Sequence, residues 1–333
     1  MKAYLIDKYS KEKPMRLSNV PTPSLKDNDL LIEVHAAGLN PLDAKIKSGE
    51  LKLLLSYKMP LILGHDLAGI VIEIGKNVRK FKVGDEVYSR PPDLHIGTFA
   101  EFIAVNEEDV ARKPKNLSME EAASLPLVAL TAWQALVEKG AVRRDHKVFI
   151  QAGSGGVGTI AIQLAKHLGA YVATTAGAKS FDLVKGLGAD VVVDYRNERF
   201  EKRLSNYDLV LNSQDKSTLE KSITILSPGG KVISISGPPT PKFAISMHAP
   251  WFLRYIMFFM SLGIRNKAKK AKVSYSFLFM RAQGEQLNEV TKLVESGYIR
   301  PVIDKIFSFN EFNKALEFME SGRAKGKVVV KIK

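Results

Sequence analysis

The chain contains no cysteine among its 333 residues. That excludes a disulfide framework, a thiolate nucleophile and any zinc site built on cysteine. Long hydrophobic runs are also lacking. The most apolar stretch, Trp251 to Leu262, is too short for a bilayer span and is interrupted by Arg254. The N-terminal segment Met1 to Asp7 reads as a short strand, without the charged head, apolar run and small-residue cleavage site of a signal peptide. The cytoplasm is the expected compartment. Acidic residues are absent from one long region. Between Lys221 and Gly284 there is no Asp or Glu, whereas ten Lys and Arg residues fall in it. The chain as a whole carries +14, from 49 basic and 35 acidic residues. A local field of this kind attracts anions: a phosphorylated cofactor, an anionic lipid surface or nucleic acid. The plainer reading is a solvated basic face.

What is present is ordinary for a globular protein, with 45% hydrophobic and 25% charged residues, and the length suits two domains. The first third is β-rich. Leu30–Val34, Gly69–Ile74 and Asp85–Tyr88 read as strands, with turns at Gly84 and Gly97, and their spacing predicts a small barrel. Ser118-Met119-Glu120-Glu121 has the form of a capping box and predicts a helix start. From Lys147 strands and helices alternate: strands at 148–150, 171–174, 191–193, 209–211 and 232–235, helices at 158–168 and 181–186. That alternation predicts a doubly wound parallel sheet with helices on both faces, an α/β fold. From Arg300 the chain returns to short strands around one helix, 310–321, and ends in a strand at 327–332. The expected division is therefore 1–118 with 300–333, and 119–299.

The strongest motif is Gly153-Ser154-Gly155-Gly156-Val157-Gly158, a G-x-G-x-x-G lying between a strand and a helix. Glycines let the backbone approach a pyrophosphate, and the helix N-terminus offers free N–H groups and a positive dipole end. Gly153, Gly155, Gly156, Val157 and Gly158 are thus candidate dinucleotide contacts. An NAD enzyme usually carries an acid about 20 residues into such a unit, for the ribose 2′-OH. Here Thr174-Thr175-Ala176-Gly177-Ala178-Lys179 has no acid and has a lysine. Lys179 and the hydroxyls of Thr174, Thr175 and Ser180 suit a 2′-phosphate, so NADPH is the expected cofactor.

These features resemble the medium-chain dehydrogenase/reductase superfamily, in its zinc-free quinone oxidoreductase and enone reductase branch. The landmarks run in order along the chain: Ala37–Asp43, Gly64-His65-Asp66-Leu67-Ala68-Gly69, Val83–Val87, Ala132–Leu136, the glycine fingerprint, Leu187–Asp190, Gly229–Val232 and Gly326–Val330. The resemblance implies a GroES-like β-barrel domain interrupted by a Rossmann-type NADP-binding domain. It implies an NADPH-dependent reductase delivering a hydride to a quinone or to the C=C bond of an α,β-unsaturated carbonyl, and a homodimer. Zinc-dependent relatives hold their metal with a cysteine and a histidine. Those positions look like Asn40 and His65, so no metal is expected, and His65 is read as a satisfied structural histidine. The resemblance also implies roles for individual residues. Asn40 and Lys45 would face the nicotinamide and its ribose, and Val157 and Gly158 the pyrophosphate. Thr175, Ala176, Lys179 and Tyr195 would surround the adenosine 2′-phosphate, and Ser213 and Ser236 would lie towards the nicotinamide. The tetrapeptide Asn212-Ser213-Gln214-Asp215 departs from the family pattern.

The expected catalytic residues are Asn40 and Tyr57; Tyr57 lies near where the resemblance implies a substrate-facing tyrosine, and a core or surface tyrosine is the other reading. Hydride transfer is the cofactor's reaction, and the protein supplies orientation and polarity. No acid–base dyad stands out, which suits an activated acceptor better than a plain ketone. The apolar segment 251–262 and the basic residues up to Lys272 suggest either weak contact with an anionic membrane or a cover for the substrate cleft or a subunit interface. An alternative function is an NADPH-regulated protein that binds nucleic acid or a membrane surface through 221–284. No RNA-binding motif or aromatic stacking series accompanies those charges, so nucleic acid is not expected.

Overall fold

The computed structural model describes all residues, 1–333, as two compact units: Met1–Leu130 with Arg281–Lys333, and Thr131–Met280. The division falls inside the expected limits of 118/119 and 299/300. The helix Gly284–Glu295 explains the second shift. Tyr88 donates its buried hydroxyl to Leu287 O at 2.7 Å, and the Thr291 hydroxyl donates to Arg112 O at 3.1 Å. A Cβ on Gly284 would stand 2.5 Å from Val110 O, so glycine lets the helix start directly against that strand. These residues fall within the expected range 119–299, and no local signal in them reports which domain they pack against.

The first unit is organised by one long strand, Asp29–Leu39. Along one edge it pairs antiparallel with Asp66–Ile74. Along the other it pairs first with Phe102–Asn106 and then with Lys327–Lys331. Register shifts between Leu31 and Ile32, and between Val34 and Ala36, bend it so that it can serve both. The sheet continues through Glu86–Ser89 to Val110–Arg112, and through Lys327–Lys331 to Ile303–Ser308. Leu30, Ile32 and Val34 alternate inward and meet Leu67, Val71, Val87, Ile103, Val105 and Val110 in one core. Gly69 is required by close approach. A Cβ there would lie 2.0 Å from Glu33 O.

The second unit is a six-stranded, all-parallel sheet in the order Val191–Asp194, Tyr171–Ala176, Lys147–Ile150, Tyr207–Asn212, Leu226–Ser234, Ser274–Phe277. The order reverses about Lys147–Ile150, which creates a switch point where ligands bind outside the strand ends. Phe149, Ala173, Val193, Val210 and Val232 pack against Leu219, Ile223, Ile264 and Ala268.

The segment 251–262 forms the first part of a 20-residue helix, Trp251–Lys270. Met257, Ser261, Ile264 and Ala268 are its buried face. The other face is not covered within the chain: Trp251, Tyr255 and Phe259 are 71%, 62% and 68% exposed. Its last turn carries Lys267, Lys269 and Lys270. No helix is long and apolar enough to cross a membrane.

Substituting Gly69→Ala forces the central strand pair apart and should cost roughly 2–3 kcal/mol. A urea titration of both proteins checks this, and an unchanged midpoint would contradict the packing described.

Candidate active site

In the second unit the glycine loop follows Lys147–Ile150 and opens the helix Gly156–His167. Two of its glycines are dictated by packing. A Cβ on Gly153 would lie 2.2 Å from Thr174 Oγ1, and one on Gly158 would lie 2.3 Å from Ala152 O. These contacts press the helix start onto the strands. Gly155 is the N-cap and makes no side-chain cap, so the first-turn amides at Gly156, Val157 and Gly158 have no partner within the helix. Gly155, Gly156 and Val157 remain partly exposed. This cradle fits the pyrophosphate of a dinucleotide.

The end of the neighbouring strand Tyr171–Ala176 supports the glycine loop. The Thr174 hydroxyl is fully buried and donates to Ile150 O at 2.6 Å, and the Thr175 hydroxyl accepts from Ala152 N at 2.9 Å. Thr175 O also accepts from Gly153 N at 2.9 Å. Both threonines therefore brace the glycine loop. Ala176 is buried as well. Lys179 is exposed in the turn that follows, and Tyr195 is 59% exposed at the end of the adjacent strand. A Cβ on Gly177 would be 3.6 Å from Tyr195 Cε1 and 3.9 Å from Arg196 Nε, so both side chains reach this turn. Arg196 donates to the Tyr195 hydroxyl at 3.3 Å and lies 5.7 Å from its ring centroid. Sequence reasoning passed over Arg196. The missing acid, with a second cation two strands into the unit, was the available signal. Asp194 is buried and turned back onto Arg196 N and Asn197 Nδ2, at 3.1 and 2.8 Å.

At the same end of the sheet, Asn212 donates to Gln151 Oε1 at 2.6 Å and accepts from the Ser234 hydroxyl at 2.5 Å. This buried network joins three strand ends. Ser236 is exposed beside it and donates to Gln214 O at 2.6 Å, and Ser213 is partly exposed. Gln151, Asn212 and Ser234 thus anchor the two serines picked out from the sequence.

The remaining candidates, Asn40, Lys45 and Tyr57, belong to the first unit. Lys45 is exposed on the helix Pro41–Ser48. Asn40 is only 1% exposed, and its side chain is engaged within the first unit. Its Nδ2 donates to Asp66 Oδ2 at 2.9 Å, and its Oδ1 accepts from the Lys327 ammonium at 2.5 Å. Lys327 also donates to Leu39 O and Asp66 Oδ2, each at 2.9 Å, so its three N–H bonds are all used. The other oxygen of Asp66 accepts from Leu127 N at 2.7 Å. The zinc fit fails on this donor set. Beside His65 stand an amide and a buried ammonium, and the ammonium already occupies the oxygens that a second cation would need.

His65 is likewise buried, and its Nδ1–H donates to Asp43 Oδ1 at 2.6 Å. Asp43 Oδ2 accepts from Asn40 N at 2.8 Å. Nε2 of His65 has no hydrogen-bond partner. The expectation of a satisfied histidine holds for one nitrogen only. Tyr57 is partly exposed, and its hydroxyl accepts weakly from Leu94 N at 3.5 Å. Burial first, with Asp93 and Asp43 nearby adding to it, pushes the Tyr57 hydroxyl up to about 12 against the opposing Leu94 amide and Arg90. The phenol therefore keeps its proton at neutral pH and can donate it as a hydrogen bond.

The family model for an alcohol dehydrogenase GroES-like domain matches residues 26–115, and that for a zinc-binding dehydrogenase matches residues 187–330. The chain is 37% identical to the mitochondrial NAD(P)H oxidoreductase RTN4IP1 of Danio rerio, over 100% of this chain and 91% of that protein. It is 36% identical to the 2-methylene-furan-3-one reductase of Solanum lycopersicum, over 99% of this chain and 79% of that protein. Among solved structures, the quinone oxidoreductase from Coxiella burnetii superposes with a TM-score of 0.85 at 33% identity, over 100% of this chain and 99% of that one. The chain belongs to the medium-chain dehydrogenase/reductase superfamily, in its zinc-free quinone oxidoreductase branch. It is an oxidoreductase that uses a nicotinamide cofactor.

Lys327→Met leaves Asp66 charged and uncompensated in the core. We expect a loss of about 3–5 kcal/mol, of which the double variant Asp66→Asn/Lys327→Met recovers a large part. Urea unfolding of the three proteins measures both values.

Proposed function

We propose that the protein uses NADPH to reduce quinones or the C=C bond of α,β-unsaturated carbonyls. The observation that carries the choice of NADPH is the turn after Tyr171–Ala176, where residues 174–179 include no acid, Lys179 is exposed, and Tyr195 and Arg196 lie against Gly177. A 2′-phosphate gains charge-assisted hydrogen bonds there, whereas a bare 2′-hydroxyl finds no acidic acceptor. When bound, the dihydronicotinamide supplies a hydride. The chain's own residues do the rest. The amides of Gly156, Val157 and Gly158 hold the pyrophosphate, and the Gln151–Asn212–Ser234 network fixes the strand ends near Ser213 and Ser236. The protonated Tyr57 hydroxyl offers a hydrogen bond to an acceptor oxygen.

The acceptor class is supported by the chemistry of the donor set. With a lysine ammonium among Asn40, Asp66 and Leu39, no Lewis acid is available to activate a plain ketone or alcohol. Quinones and enones are already activated. Reductases for both acceptor classes stand among the chain's relatives by name. The alternative of a nucleic-acid or membrane binder built on residues 221–284 is not favoured, since the relatives reported above are all named as oxidoreductases.

The test is cofactor oxidation with 1,4-benzoquinone, 9,10-phenanthrenequinone, methyl vinyl ketone and 2-hexenal, each with NADPH and with NADH. Turnover should favour NADPH. Lys179→Ala and Arg196→Ala should each raise the KM for NADPH roughly tenfold or more and leave that for NADH nearly unchanged, as expected for one charged hydrogen bond. Equal losses with both cofactors would contradict the 2′-phosphate reading.

A further inference from the structure

We propose that Asp43, His65 and Asp93 form a proton relay that completes the reduction of unsaturated carbonyls. The proposal rests on the reductase reading above and concerns the source of the proton that accompanies the hydride.

His65 lies wholly inside the first unit. Asp43 holds it by Nδ1 at 2.6 Å, and Asn40 N in turn holds Asp43 at 2.8 Å. The ring is therefore fixed in position. Its Nε2 nonetheless has no partner, although the atom is buried. Buried polar atoms are almost always paired, and an exception calls for a reason. A histidine kept only for packing would be expected to satisfy both nitrogens. Nε2 faces Asp93 Oδ1 at 4.0 Å, just beyond hydrogen-bonding range, so a small rotation of the Asp93 side chain connects them. Asp93 is held by Arg90 Nη2 at 2.5 Å, and its side chain is 17% exposed. It is the exit from a buried dyad to the outside. The Tyr57 hydroxyl sits at the same exit, against Leu94 N at 3.5 Å.

Addition of a hydride to the β-carbon of an enone brings two electrons and leaves an enolate one proton short of product. That proton leaves Nε2 of the imidazolium, passes along the Asp93 carboxylate and forms the new C–H bond at the α-carbon. The neutral imidazole then regains a proton from solvent along the same route. Asp43 is a positioning residue. It fixes the ring through Nδ1 and so aims Nε2 at Asp93. Quinone reduction depends on the relay far less, because a hydroquinone anion takes its proton from water.

The test uses the full-length protein and the variants Asp93→Asn and His65→Gln. The amide introduced by Asp93→Asn still accepts from Arg90 and cannot carry a proton, so this variant guards against misfolding at the buried histidine. Thermal melting and NADPH binding, followed by cofactor fluorescence, should stay near wild type for Asp93→Asn. Turnover of 2-hexenal should fall roughly a hundredfold in both variants, while that of 1,4-benzoquinone falls only about threefold, as expected for loss of one general acid. Reduction of 2-hexenal in D2O gives a second readout. Wild type should place deuterium on one face of the α-carbon, and the variants should give both faces. Equal losses with enone and quinone, unchanged enone turnover, or unselective deuteration by wild type would each overturn the relay. Wild-type turnover of neither acceptor class would overturn the reductase reading itself, and the relay with it.

Discussion

A single buried ion pair ties the first unit together. The Lys327 ammonium and the Asp66 carboxylate meet at 2.9 Å in the interior, and every remaining hydrogen-bonding position on the ammonium is filled by Leu39 O and Asn40 Oδ1. The segments they join are far apart in sequence: the end of the long strand, the start of its partner, the last strand and the helix beginning near Leu127. Buried charges are tolerated only when their hydrogen bonds are complete, and here they are. Completeness also has a consequence for chemistry. With Asn40 committed inward and a lysine cation at the carboxylate, this corner of the fold is electrostatically closed to a metal. The acceptor must bring its own activation.

The second unit is governed by a different constraint, which is how closely a helix can approach two strands. Gly153 and Gly158 allow Thr174 and Ala152 to come within distances that no side chain would permit. The threonines at the end of the neighbouring strand then lock the loop. The helix start thereby offers backbone amides, and its supporting side chains face into the protein. On the proposed NADPH reading, discrimination between cofactors falls one turn further on, at the exposed side chains of Lys179, Tyr195 and Arg196.

Much of this was legible along the chain. The glycine fingerprint, the strand–helix alternation and the capping box at Ser118 are local signals, and each maps onto an observed element. The non-local contacts were not legible. Thr174 and Thr175 look like phosphate ligands in a linear motif, yet strand pairing turns their hydroxyls onto the glycine loop. Asn40 follows a strand and carries no local mark of its surroundings, yet Lys327, nearly three hundred residues later, holds its Oδ1 in the interior. The helix Gly284–Glu295 carries a periodic apolar face in either domain, and only Tyr88 and Thr291 show which one it serves.

The sequence by itself determined the elements, the dinucleotide loop, the absence of a thiolate chemistry and the family, because these depend on residue types at short spacing. Tertiary structure alone decided which polar side chains face the reaction and which face the core. It paired Asp66 with Lys327, left Nε2 of His65 without a partner and brought Tyr195 and Arg196 against the turn at Gly177. The physical reason is that burial and hydrogen-bond satisfaction are properties of a side chain's whole surroundings. Those surroundings are assembled from strands that meet only when the chain has folded.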